Sequence, residues 1–187
     1  MTELPSNARA RQCVVLIGFR GCGKSTVGRK LAQLLGGRFI DTDELISRET
    51  GKAIAALFEE EGEAAFRRRE SEAITKAAAA APAVISVGGG AVMNPTNTKL
   101  LRAAGKVVWL TAPAEVLHQR IIADSNTEDT RPALTPLSRR EETERVLAER
   151  LPFYRGAADV VVDTSSLDPK EVAEEIMHRL GLAARRS

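Results

Sequence analysis

The apolar positions of this chain alternate between two patterns. The unbroken run Cys13-Val14-Val15-Leu16-Ile17 predicts a buried strand. Val27, Leu31, Leu34 and Leu35 then recur at helical spacing, and Gly36-Gly37 stops that helix. Arg38-Phe39-Ile40-Asp41 predicts a second strand, and a further helix opens at Glu44-Leu45-Ile46. Ile54 to Ala80 reads as helical, with Gly62 as a candidate break and Ile54, Leu57, Phe58, Phe66 and Ile74 set among dense charge. Val84 to Val87, Lys106 to Leu110 and Asp159 to Thr164 predict strands three to five. Asn94-Pro95, Pro113 and Pro169 each open a helix, and Arg139 to Tyr154 is another. Strands alternating with helices over 187 residues predict one α/β domain, a parallel sheet with helices on both faces. Ligands of such sheets lie at the carboxyl ends of the strands.

Those ends carry the chemistry. The first strand runs into Gly18-Phe19-Arg20-Gly21-Cys22-Gly23-Lys24-Ser25-Thr26, where Gly18, Gly23, Lys24 and Ser25 satisfy the P-loop template in its strand-to-helix context. Glycines let successive backbone N–H groups turn toward a phosphate, and the following helix offers its own unpaired N–H groups to the same anion. Lys24 would neutralise β/γ-phosphates and the Ser25 hydroxyl would ligate Mg²⁺. A glycine-rich turn before an ordinary helix would not need this lysine and serine together, so the motif predicts nucleoside triphosphate binding.

Four further stretches have a functional and a purely structural reading. Asp41 and Asp43 end the second strand: one carboxylate would face Ser25 and hold Mg²⁺, the other would orient a hydroxyl, or Asp43 caps the next helix. In Phe66-Arg67-Arg68-Arg69-Glu70 the basic run is a solvated helix face, or one arginine forks onto a substrate carboxylate with Glu70 bracing it from i+3. Gly88-Gly89-Gly90 stands where many P-loop proteins carry an acid; it permits close backbone approach to a ligand, or makes a tight turn with positive φ. Asp124 to Pro136 lacks an apolar period and reads as a lid, from which Arg131 would bring charge to a transferring phosphoryl group. Trp109 reads as core and His118 as structural. Cys22, near a helix N-terminus, is an oxidant-sensitive thiol or an inert small residue.

Composition narrows the partners. A net charge of +2 argues against nucleic acid, and 43% apolar with 28% charged residues describes an ordinary globular protein. Two cysteines form no disulfide framework, which favours a reducing cytoplasm. Met1 to Gln12 lacks the apolar core of a secretory signal, and no apolar run approaches the ~20 residues that span a membrane.

The motifs in their order, with Arg131-Pro132-Ala133-Leu134 and Arg150-Leu151-Pro152-Phe153-Tyr154 added, resemble the shikimate kinase family from about Cys13 to Leu180. The resemblance implies a nucleoside-monophosphate-kinase-like P-loop fold with sheet order 2-3-1-4-5, ATP and Mg²⁺ as cofactors, and phosphorylation of the 3-hydroxyl of shikimate on the way to chorismate. It implies ATP contacts from Gly21, Cys22, Gly23, Lys24, Ser25, Thr26 and Arg131, and Mg²⁺ held by Ser25 and, through water, Asp41. Asp43, Arg67, Gly89 and Arg150 would bind the substrate, with Asp43 as base or orienter, Glu70 bracing Arg67, and Lys24 and Arg131 also catalytic. Val162-Asp163-Thr164 through Pro169 matches the family's adenine-side loop, and Arg120 is the candidate for an arginine early in the lid. One domain over 1–187, a substrate-binding segment at about 43–80, a lid at about 123–137 and a cytoplasmic monomer complete the expectation. The rivals are a related small-molecule kinase such as a gluconate kinase, or a non-catalytic nucleotide-binding regulator. The histidine of gluconate kinases is missing after Asp43, and no Asn-Lys-x-Asp guanine motif occurs.

Overall fold

A computed structural model describes residues 12–124 and 139–184. Its strands are β1 (Cys13–Ile17), β2 (Arg38–Asp41), β3 (Ala83–Ser86), β4 (Gly105–Thr111) and β5 (Val160–Asp163). They form one parallel sheet in the order β2-β3-β1-β4-β5, as expected. β1 is buried along its whole length, which its lack of polar alternation requires of a central parallel strand. The helices among the described residues are α1 (Lys24–Leu35), α2 (Thr42–Thr50), α3 (Ile54–Ala79), α4 (Pro95–Ala104), α5 (Ala114–Ala123), α6 (Arg139–Ala157) and α7 (Pro169–Leu180). None of them is long and apolar enough to cross a membrane.

Several boundaries differ from the sequence pattern. α6 continues three residues past Tyr154 and runs through Pro152, whose ring removes one hydrogen bond without ending the helix. α2 begins at Thr42, and its cap is Asp41 rather than Asp43: the Asp41 side chain accepts from the backbone N–H groups of Asp43 and Glu44. α3 breaks at Gly62 as anticipated, with φ 78° and ψ 168°. Ala123, at the expected start of the lid, is still helical, and residues 125–138, with Arg131 among them, lie outside the described part.

The topology fixes where a ligand can sit. β1 leaves through α1 toward β2, while β3 leaves toward β4 on the other side of β1. Neighbouring strands whose connections depart in opposite directions open a crevice at their carboxyl ends. Leu16 pairs with Ser86 there, and the Val87 N–H donates to the Leu16 carbonyl at 3.2 Å, so the loops after β1 and β3 run side by side. Asp41 is registered against Ser86 from the next strand. The main core surrounds the sheet, and a second small core joins Ile46 of α2 to Ile54, Leu57, Phe66 and Ala73 of α3.

Candidate active site

The P-loop shows why its glycines are needed. Gly18, Gly21 and Gly23 have φ of 141°, 79° and 88°, and a Cβ on Gly18 would stand 2.3 Å from the Leu110 carbonyl oxygen. Lys24 Nζ donates to the carbonyls of Gly18 and Phe19 at 2.9 and 3.0 Å, which curls the side chain over the loop. The Ser25 hydroxyl donates to Asp41 Oδ2 at 2.7 Å, while Asp41 Oδ1 holds the first turn of α2. One carboxylate thereby links the P-loop helix to the element that carries Asp43. Cys22 lies fully buried, its Sγ 3.8 Å from Lys24 Nζ, which shields it from oxidants in solution.

A wide cleft opens over this loop, lined by Gly21, Gly23, Lys24, Ser25, Thr26, Asp41 and Asp43. Arg120 borders it from α5. Its two terminal nitrogens donate to the hydroxyl and carbonyl of Thr164 at 2.9 and 2.7 Å, so the loop after β5 fixes the guanidinium in place. Beside the cleft lies a smaller pocket. Asp43, Arg67, Gly89 and Arg150, four residues singled out from sequence, meet there with Glu70. Arg20, Asp43 and Ile54 line both cavities and form the wall they share.

The glycines after β3 serve close approach. None of the three has positive φ, although the Ala91 N–H donating to the Gly88 carbonyl at 3.0 Å closes a turn there. A Cβ on Gly88 would stand 2.7 Å from Glu70 Oε1 and 3.0 Å from Asp43 Oδ1; on Gly89, 3.4 Å from Arg150 Nη1; on Gly90, 2.7 Å from Arg67 Nη1. The strip is bare so that four charged side chains can reach one pocket wall.

Charge in the pocket is tightly arranged. Arg67 Nη1 donates to Glu70 Oε2 at 2.9 Å, and Nη2 to Glu63 Oε1 at 3.1 Å. Burial works against the Arg67 charge, but the two carboxylates outweigh it and hold the guanidinium more firmly protonated than usual. At Glu70 burial prevails instead and pushes the carboxyl above the ordinary range, against the pull of Arg67 and Arg150. The basic run divides, with Arg67 lining the pocket while Arg69 pairs with Glu61 on the outside.

Four lining residues, Arg20, Ile54, Phe58 and Phe66, had no functional reading in the sequence. Arg20 is a third guanidinium in the pocket, with Nη2 3.4 Å from buried Glu142 of α6. A cation inside a glycine-rich loop was the available signal. Phe58 and Phe66, whose ring centroids are 4.4 Å apart, read only as core because they fall at helical spacing.

Two cavities sharing a wall, one over a P-loop and one ringed by guanidinium groups, suit a kinase for a small anion, and the fold places the chain among the P-loop kinases. A family model for shikimate kinase matches residues 20–181. The shikimate kinase of Syntrophus aciditrophicus is 40% identical over 187 residues, covering 96% of this chain and 94% of that protein. The shikimate kinase of Halorhodospira halophila is 44% identical over 167 residues, 89% of this chain and 92% of that protein. Among solved structures, shikimate kinase from Acinetobacter baumannii in complex with shikimate superposes with a TM-score of 0.85 at 34% identity, over 94% of this chain and 97% of that one. A gluconokinase from Sinorhizobium meliloti, at 19% identity and TM-score 0.57, shares the fold alone. The chain belongs to the shikimate kinase family.

Proposed function

We propose that this chain transfers the γ-phosphoryl group of ATP to the 3-hydroxyl of shikimate, giving shikimate 3-phosphate and ADP for aromatic amino acid synthesis. The observation that carries this reading is the position of Asp43 on the wall between the P-loop cleft and the pocket of Arg67, Arg150 and Gly89. The acceptor carboxylate takes forked hydrogen bonds from Arg67 and Arg150, for which planar guanidinium groups suit better than ammonium. Asp43 accepts the hydroxyl proton as the oxygen–phosphorus bond forms and the bridging bond to the β-phosphate breaks. Lys24, the backbone from Gly21 to Thr26, and Arg131 spread positive charge along the triphosphate.

Ser25 and Asp41 fit a Mg²⁺ site: their 2.7 Å contact joins two hard oxygen donors beside the P-loop, and this ion completes its shell with water and phosphate. Bound there, it would neutralise charge between the β- and γ-phosphates. The segment at about 43–80 would bind the acceptor and that at about 123–137, mostly outside the described residues, would serve as the lid, within one domain. The enzyme acts in the cytoplasm, a reading supported by its two free cysteines, and as a monomer, the default for a chain of this size in this fold.

A coupled assay of ADP release with shikimate, gluconate and nucleoside monophosphates tests the substrate. Turnover is expected with shikimate; ATP hydrolysis indifferent to shikimate, or faster turnover of a rival acceptor, would overturn the assignment. Asp43→Asn should bind ATP normally while kcat falls by roughly 10²–10⁴. Full activity in that variant would remove Asp43 from its role.

A further inference from the structure

Helix α6 reaches the glycine strip twice. Arg150 and Tyr154 stand one helical turn apart on the same face. The guanidinium of Arg150 approaches Gly89 from the pocket, and the Tyr154 hydroxyl, buried with its ring, donates to the Gly89 carbonyl at 2.6 Å. The ring stacks on Trp109 of β4 with centroids 5.8 Å apart. A buried phenol needs an acceptor, and this one takes its acceptor from the backbone of the pocket wall.

We propose that Tyr154 is a positioning residue for the phosphoryl acceptor, acting through the Gly89–Gly90 peptide; the inference rests on the shikimate reading above. The cis bond among the described residues is Ala81–Pro82, so the Gly89–Gly90 peptide is trans, with its C=O and N–H pointing in opposite directions. Holding the carbonyl toward Tyr154 aims the Gly90 N–H away from that hydroxyl, and both glycines line the pocket. On this reading the Gly90 N–H is the donor offered to the acceptor, on the wall that Arg67 and Arg150 also approach. Two successive glycines have no Cβ to resist rotation of the peptide between them, so the phenol supplies the restraint. Without it the peptide can turn over, and a carbonyl oxygen then faces the anionic group of the acceptor where an N–H stood before.

Tyr154→Phe keeps the ring and its stacking and deletes the oxygen. The KM for shikimate should rise roughly five- to twentyfold, with the KM for ATP within about twofold of the parent. The Gly90 amide resonance of the ligand-free enzyme should shift and broaden as the peptide samples both orientations, while the β1 amide resonances stay in place. Trp109→Phe loosens the seat of the ring but retains the hydroxyl, and should leave the shikimate KM within about twofold. An unchanged shikimate KM in Tyr154→Phe, or equal rises in both KM values, overturns the proposal. If the parent enzyme does not turn over shikimate, the functional reading fails by itself. The Gly90 amide resonance then decides the role of Tyr154, and an unchanged signal in Tyr154→Phe overturns it.

Discussion

A methyl group on Gly88 would meet Glu70 Oε1 at 2.7 Å and Asp43 Oδ1 at 3.0 Å, both the far ends of side chains that can swing aside. The same methyl on Gly28 would meet ring atoms of Phe39 at 2.3 and 2.9 Å and Leu16 Cδ1 at 3.2 Å, all part of a packed layer. The first clash is relieved by moving the pocket's carboxylates and the second only by repacking α1 against the sheet. Gly88→Ala should therefore change unfolding free energy by less than about 1 kcal/mol while kcat falls about a hundredfold, because displacing a reacting group by an ångström is that costly. Gly28→Ala should lose roughly 1–3 kcal/mol with kcat nearly preserved. Urea unfolding and steady-state kinetics on both variants check the crossing pattern; parallel losses would refute it.

Two helices begin on aspartate, and comparing them separates capping from chemistry. Asp168 caps α7 in a capping box, accepting from the N–H groups of Lys170 and Glu171 while Glu171 accepts from the Asp168 N–H. Asp41 caps α2 and also accepts from Ser25. Either aspartate replaced by alanine should cost roughly 0.5–2 kcal/mol of stability. Only Asp41→Ala should also depress turnover, since it removes the partner of the P-loop serine; equal kinetics in the two variants would limit Asp41 to a cap. Local sequence could not distinguish Asp41 from Asp43 as the cap, because both precede the same helical pattern. What could be read were features that one element decides alone: the buried run of β1, the P-loop spacing, Asn94-Pro95 opening α4, and the break at Gly62. What escaped depends on how elements face each other. Arg20 reaching Glu142, Phe58 turning to a pocket and Tyr154 holding Gly89 all join residues distant in sequence.

At the scale of the whole molecule, α3 bridges the two cores. Phe66 belongs to the small core while Glu70, one turn on and 1% exposed, faces the glycine strip after β3. A carboxylate in that position influences global stability in the direction opposite to most acids. Burial raises its folded-state pKa above the ordinary 4.5, so the folded protein holds this proton more tightly than the unfolded chain does. Its contribution to stability is full below about pH 4.5 and is lost as the pH rises through the folded-state value. Asp163 behaves the other way: hydrogen bonds from Ser165 lower its pKa, and its contribution is lost as the pH falls. Glu70→Gln removes the titration and keeps the shape of the protonated carboxyl, giving up the ion pair that only the ionised form makes with Arg67. Relative to the parent, the variant should therefore grow more stable as the pH is raised from 4.5 through the titration of Glu70, and the difference should level off above it. Urea unfolding of both proteins at a series of pH values measures this. A stability difference that is constant with pH would mean that Arg67 and Arg150 balance burial at this carboxylate, and one that falls as pH rises would mean that they outweigh it.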